Sequence, residues 1–155
     1  MAPGHRLAVP QVLVALATLS VAVHLYGLYR PTGPSAPGWF PNVDKLEHLV
    51  GFGLPVALVL LARAALDRRR PGPDRPTRAH RSDGPFTLVV VGAFALHAVL
   101  SELVQHFFYT SRSGDPLDLL ADWVGVALGW AAARLLTGRR GHATIPDDDT
   151  ARRVP

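Results

Sequence analysis

The sequence contains no cysteine. This absence excludes a disulfide framework, a thiolate nucleophile and a zinc site with cysteine ligands. The sequence is also poor in lysine, because 15 of its 16 basic residues are arginine and the one lysine is Lys45. A compact ammonium group and a planar guanidinium group bind different partners, so this single exception favours a specific role for Lys45.

Charged residues make up only 18% of the 155 residues, whereas apolar residues make up 48%. The apolar residues form four runs, each of about 21 to 23 residues, which is long enough to span a hydrocarbon core of about 30 Å. The runs lie at about residues 8–28, 46–66, 86–108 and 117–137. The sequence therefore predicts an all-α fold, a four-helix transmembrane bundle over residues 1–137, in a multi-pass protein of the cell membrane.

The alternative class is a soluble four-helix bundle, whose helices each need a polar stripe. The first run has only four polar residues, Gln11, Thr18, Ser20 and His24, which disfavours this class. The same run is longer than the apolar region of a signal peptide, so we expect an uncleaved first helix.

Six arginines lie between the second and third runs, in the loop at residues 67–85. By the positive-inside rule this loop is cytoplasmic, and four spans then place both termini in the cytoplasm. Residues 138–155 are polar and are predicted to form a disordered cytoplasmic tail. The net charge of +4 is attributed to basic residues in loops without interleaved aromatic residues, so no nucleic-acid partner is predicted.

This topology places the polar ends of three helices on one extracytoplasmic rim. Lys45 and His48 begin the second helix from that side. Glu102, Gln105 and His106 end the third helix, and their spacing of three and four residues predicts one shared face. Ionisable groups at this depth are costly unless they pair or face water, so we expect the functional site here.

The fourth helix begins on the same rim. Asp118 and Asp122 are predicted to share a face with Gly125 and Gly129, which lie deeper. Glycines in that position are typical of a close contact between membrane helices.

Two roles are predicted for the polar residues of the rim. Histidine titrates near neutral pH and a carboxylate can orient it, so the candidates for acid–base catalysis are His48, Glu102, Asp118 and Asp122. The candidates for ligand binding are Lys45, Gln105, His106 and Arg112. Within this second set, the two cations are expected to hold an anionic group such as a phosphate or a carboxylate.

Several of these residues also have purely structural interpretations. Asp44 with Glu47, and Asp115 before Pro116, have the spacing of helix caps. Asp118 could complete a capping box with Asp115.

Other polar residues could serve packing alone. Glu102 could form a structural ion pair with Lys45 or Arg112, and His106 could simply lie at the membrane interface. His24 and His97 are isolated on apolar runs, which is more typical of packing than of ligand binding.

A metal site is not favoured by the sequence. A set of His48, Glu102, His106 and an aspartate is chemically possible, but no motif such as His-Glu-x-x-His supports it. No metal and no cofactor are therefore predicted, and membrane lipids are the expected partners.

The polar residues of the rim occur in the order Asp44-Lys45-x-x-His48 with Phe52, then Glu102-x-x-Gln105, then Arg112, Asp118, Asp122, Gly125 and Gly129. In this order the sequence resembles the VanZ-like family of small membrane proteins. The resemblance implies a cell-envelope protein and a link to low-level resistance to the glycopeptide antibiotic teicoplanin. It implies no established reaction.

The sequence is compatible with three functions. The first is a membrane protein whose extracytoplasmic pocket binds an anionic envelope component, a lipid-linked precursor or a lipoglycopeptide, and so alters susceptibility to teicoplanin-type antibiotics. The second is an enzyme that performs acid–base chemistry on a lipid-linked envelope substrate. The third is a structural helical protein whose polar residues only determine packing.

The predicted topology is testable because the natural chain has no cysteine. We expect Arg75→Cys, in the loop at residues 67–85, to resist an impermeant thiol reagent in intact cells and to react after lysis. Ser35→Cys, in the loop before the second helix, should react in intact cells. Labelling of Arg75→Cys in intact cells would place the polar rim in the cytoplasm instead.

Overall fold

The computed structural model describes residues 8–30, 42–69, 84–109 and 115–139. These residues form four helices and no strand: α1 at Val9–Tyr29, α2 at Val43–Asp67, α3 at Pro85–Phe108 and α4 at Pro116–Arg139. The all-α prediction is confirmed, and each predicted helix is recovered. The central part of the basic loop, Arg112 and nearly all of the predicted tail lie outside the described residues.

All four helices are long and apolar enough to cross a membrane. Large apolar side chains cover their outward surfaces, and Leu19, Val89 and Phe107 are 60%, 68% and 70% exposed. Contiguous apolar surface of this kind is incompatible with a soluble bundle but suits contact with lipid. The chain therefore has the architecture of a multi-pass membrane protein.

Of the two predicted helix caps, the structure shows the one at α4 and not the one at α2. Asp115 caps α4, because its Oδ1 accepts a hydrogen bond of 2.8 Å from the backbone N–H of Leu117. The predicted capping box of Asp44 and Glu47 is wrong: α2 already begins at Val43, after Asn42, which has a left-handed φ of 61° and makes no side-chain cap. Asp44 lies in the first turn instead, where a carboxylate still interacts favourably with the helix dipole.

Helix α2 is the centre of the bundle and packs most extensively against α4. Their backbones meet at glycines: a β-carbon on Gly125 would collide with the carbonyl of Leu49, and one on Gly129 with the carbonyl of Gly53. Gly125 and Gly129 therefore lie at the predicted close helix contact. Because α2 and α4 run in the same direction, this contact brings their N-terminal turns together.

Aromatic rings fill the core between α1, α2 and α3. The ring of Phe52 is completely buried, and its centroid lies 4.4 Å from that of His24 and 5.9 Å from that of His97. The Phe94 ring lies 6.3 Å from that of Phe52. Both histidines thus pack against aromatic rings in the bundle core, as predicted.

The α2–α4 contact generates a stability prediction. Gly125→Ala and Gly129→Ala should each destabilise the protein by about 1 to 3 kcal/mol, because the added methyl group meets backbone rather than a flexible side chain. Gly92→Ala is the matched control, since a β-carbon there meets nothing within 4 Å, and its higher helix propensity should leave stability unchanged or slightly raised. Thermal unfolding in detergent measures all three. Equal melting temperatures would contradict the close contact.

Candidate functional site

The N-terminal turns of α2 and α4 and the C-terminal turns of α3 meet at one end of the bundle. The four residues predicted for acid–base catalysis come together there, and we call them the carboxylate–histidine centre: His48, Glu102, Asp118 and Asp122. All four are buried. The sequence predicted that these residues converge, and the structure brings them together from three helices.

His48 lies between the three carboxylates of the centre. Its Nδ1 is 2.8 Å from Oδ1 of Asp122, which is a hydrogen bond, and 3.9 Å from Oε1 of Glu102. Its Nε2 lies 3.9 Å from Oδ2 of Asp118, which is too long for a hydrogen bond. Asp122 is therefore the residue that orients the imidazole ring.

Glu102 ties the end of α3 to the start of α4. Its Oε2 accepts a hydrogen bond of 2.8 Å from the backbone N–H of Asp115. In a capping box that N–H would be bonded to the side chain of Asp118, so Asp118 has a different role. Nor does Glu102 form the suggested ion pair with Lys45, whose ion-pair partners within the described ranges are Asp44, Asp115 and Asp118.

Lys45 donates hydrogen bonds to three carboxylates. Its Nζ lies 2.6 Å from Asp118, 2.9 Å from Asp115 and 3.2 Å from Asp44. The hydrogen bond from Lys45 lowers the pKa of Asp115, which precedes the α4 span, below its ordinary value. An ammonium has three N–H donors, so these contacts use all of them.

The charges at this end of the bundle are unequal. Counting only residues that the structure describes, five carboxylates surround the ammonium of Lys45 and the imidazole of His48; they belong to Asp44, Glu102, Asp115, Asp118 and Asp122. The group remains negative even when His48 is protonated. Lys45 is already engaged, so the described residues favour a cationic or neutral partner over the predicted anionic one.

Oε1 of Glu102, Oδ2 of Asp122 and Nε2 of Gln105 are among the buried polar atoms that have no hydrogen-bond partner within the part of the chain that the structure describes. Gln105 lies one turn from Glu102 on the inward face of α3 and is 2% exposed. Buried polar atoms normally have partners, so their presence at a candidate site points to an absent ligand, ion or water.

One predicted ligand-binding residue, His106, does not join this cluster. Arg112 lies outside the described residues. His106 is exposed, and its ring packs on Phe107 with centroids 4.9 Å apart. The inward face of α3 runs through Ser101, Glu102 and Gln105, and at about 100° per residue His106 falls roughly 90° from its middle. Gln105 and His106, three and four residues after Glu102, fall on opposite sides of it around the helix axis. Sequence spacing alone therefore does not show which of the two faces inward.

A groove of about 660 Å³ runs between α1 and α2 and reaches the site. His48 lines it, together with apolar residues of both helices and the ion pair of Arg30 and Glu47, whose charged atoms are 3.7 Å apart. Sequence analysis did not assign Arg30 or Glu47 to the site. Only the packing of α1 on α2 relates them, and no local spacing could have indicated it.

Comparisons with known proteins do not assign this chain to a family. No family model, no curated protein and no solved structure matches the chain. The resemblance to VanZ-like proteins therefore stays a prediction.

The Lys45 contacts generate a prediction about stability. Lys45→Met should destabilise the protein by about 2 kcal/mol or more, because it leaves Asp115 and the buried Asp118 without their cation. Adding Asp118→Asn to Lys45→Met should restore part of that loss, whereas Asp118→Asn alone should be destabilising. A double-mutant cycle of unfolding free energies measures this coupling. Purely additive effects would show that Lys45 and Asp118 do not interact.

Proposed function

We propose that this protein binds an amphipathic, lipid-linked molecule of the cell envelope and performs acid–base chemistry on its head group. The apolar chain lies in the groove between α1 and α2, and the head group lies at the carboxylate–histidine centre on the extracytoplasmic side. One observation carries the proposal: His48 lines the groove and also bonds to the buried Asp122.

The dimensions and lining of the groove support an amphipathic ligand. Its volume of about 660 Å³ falls within the range of small-molecule sites, about 300 to 1,000 Å³. Val23, Leu46, Val50 and Leu54 line it, and all four are also exposed at the protein surface. Because that surface faces the bilayer, an acyl chain can enter sideways from the membrane.

The surroundings of His48 support proton transfer. With Asp122 accepting from Nδ1–H, the neutral ring has its lone pair on Nε2, which makes no hydrogen bond to another described residue. A histidine held in this tautomer by a carboxylate is the usual arrangement of a general base. His48 thus takes a proton from a hydroxyl, an amine or a water at the head group, and Asp122 stabilises the resulting imidazolium.

The excess of carboxylates defines the head group further. A neutral or cationic group, such as a sugar hydroxyl or an amine, is electrostatically compatible with five carboxylates and one engaged lysine. The anionic component predicted from the sequence would need a cation outside this centre. The candidates are Arg112, which lies outside the described residues, and Arg30, which lines the groove beside Glu47.

A second candidate is binding without chemistry, as the VanZ-like resemblance implies. The apolar wall of the groove suits the acyl chain of a lipoglycopeptide as well as that of a lipid. In this case expression of the chain changes susceptibility to teicoplanin-type glycopeptides, and the change requires the groove but not the basicity of His48.

Filling the groove tests both candidates. Gly27 lines it, and a β-carbon there meets nothing within 4 Å. We expect Gly27→Phe to reduce the amphipathic molecules that remain bound to the purified chain by about tenfold or more. Gly92→Phe, at a glycine with equally open surroundings outside the groove lining, should retain them. Native mass spectrometry of the full chain in detergent measures the bound fraction.

His48→Gln then separates the three functions. In the enzyme it folds and retains the bound molecule but no longer converts lipids extracted from the source membranes. In the binder neither form shows conversion, and teicoplanin susceptibility responds to Gly27→Phe alone. In a structural protein no molecule is retained and His48→Gln lowers the melting temperature, an outcome that would refute the proposal.

A further inference from the structure

We propose that His48, Glu102 and Asp122 form a binding site for one divalent transition-metal ion, such as Zn²⁺ or Mn²⁺. Each residue offers one ligand atom, and these atoms all lie within 4.8 Å of one another. The inference goes beyond the proposed function, because it depends neither on the groove nor on a substrate. An ion on Nδ1 leaves the proton of the neutral imidazole on Nε2, so a metal-bound His48 is not the general base of the proposed function.

The separations between the ligand atoms are close to those of a metal-bound site. Metal–ligand bonds of about 2.1 Å in a tetrahedral arrangement separate the ligand atoms by about 3.4 Å. In the structure His48 Nδ1 is 2.8 Å from Asp122 Oδ1 and 3.9 Å from Glu102 Oε1. These two separations lie on either side of the required value, and the carboxylate oxygens of Glu102 and Asp122 lie within 4.8 Å of each other. Side-chain movements of about 1 Å therefore bring the three ligand atoms to the tetrahedral separation.

Two buried oxygens independently point to a ligand. Oδ2 of Asp122 and Oε1 of Glu102 have no hydrogen-bond partner among the described residues, and the side chains of Asp122 and Glu102 are 0% and 9% exposed. Unpartnered carboxylate oxygens in a membrane-embedded bundle are costly. An ion that coordinates both carboxylates removes that cost.

Charge balance supports a divalent cation in particular. Lys45 is engaged by three other carboxylates, so His48 is the only basic side chain with an ion-pair contact to Glu102 or Asp122 among the described residues. A protonated imidazole compensates one carboxylate at most. A divalent ion compensates both and leaves His48 neutral, which is the form that binds metals.

The donor set also has features of metal sites that take part in chemistry. One imidazole and two carboxylates suit Zn²⁺ or Mn²⁺, and three protein ligands leave a position open for water or a substrate. The second oxygen of Glu102 accepts the Asp115 N–H, an outer contact of the kind that orients a metal-binding carboxylate. The ligands come from three helices, which is why no sequence motif revealed them.

Zinc titration of the purified full chain tests the site. After treatment with a chelator, the wild-type protein in detergent should bind one Zn²⁺ in competition with a chromophoric chelator. Glu102→Gln should lower the affinity by about 100-fold or more, since loss of even an outer contact costs about 10- to 100-fold. Its amide oxygen can still accept the Asp115 N–H, so the variant removes the ligand atom while retaining that bond. His106→Gln, at an exposed histidine outside the centre, should bind as the wild type does.

Melting temperatures and X-ray absorption give two further tests of the zinc site. Zinc should raise the melting temperature of the wild type but not of Glu102→Gln. If Glu102→Gln fails to fold, Asp122→Asn replaces it, because its amide oxygen can still accept the His48 N–H. The X-ray absorption spectrum of wild-type zinc protein should show one imidazole ligand and otherwise oxygen ligands.

Three results would overturn the proposal: no zinc or manganese binding by the wild type, equal affinity in the wild type and the centre variants, or a spectrum with two or more imidazoles. Any of them leaves a proton, rather than a metal ion, to balance the carboxylates. Gly27→Phe distinguishes this site from the proposed function, since it should lose the amphipathic molecule and keep its zinc affinity.

Discussion

The cost of placing charge inside an apolar bundle determines the arrangement of this protein. Carboxylates from α2, α3 and α4 and the segment before α4 lie at one end of the bundle, where each needs a cation or hydrogen-bond donors. Lys45 satisfies the outer ones, and the Asp115 N–H satisfies one oxygen of Glu102. The remaining oxygens surround His48. Stability and the proposed function therefore depend on the same group of side chains.

This arrangement requires the close contact between α2 and α4. Without side chains at Gly125 and Gly129 the two backbones touch, and their parallel course then sets Lys45 beside Asp118 and His48 beside Asp122. A side chain at either position would collide with a carbonyl of α2 and force the two backbones apart. Small residues deep in the bundle thus determine the distances between the charged residues at its rim.

The site combines two features that rarely have a purely structural purpose. One is a buried histidine, oriented by a carboxylate, at the wall of a groove open to the bilayer. The other is a pair of carboxylate oxygens left without partners in the described part of the chain. Packing alone would favour apolar residues of similar volume at these positions. Together the features support the proposals of a membrane-soluble ligand and of a centre that binds protons or a metal ion.

The sequence by itself determined the four helices and the identity of most of the polar cluster, because apolar length, proline and glycine positions and the order of polar residues are local properties. It also predicted the small-residue contact at Gly125 and Gly129. The rotation of each helix was decided only in the tertiary structure, which turned Gln105 inward and His106 outward although they are neighbours. The partners of Lys45, the His48–Asp122 bond and the groove beside His48 likewise depend on how four helices approach one another, and no spacing within a single helix encodes that.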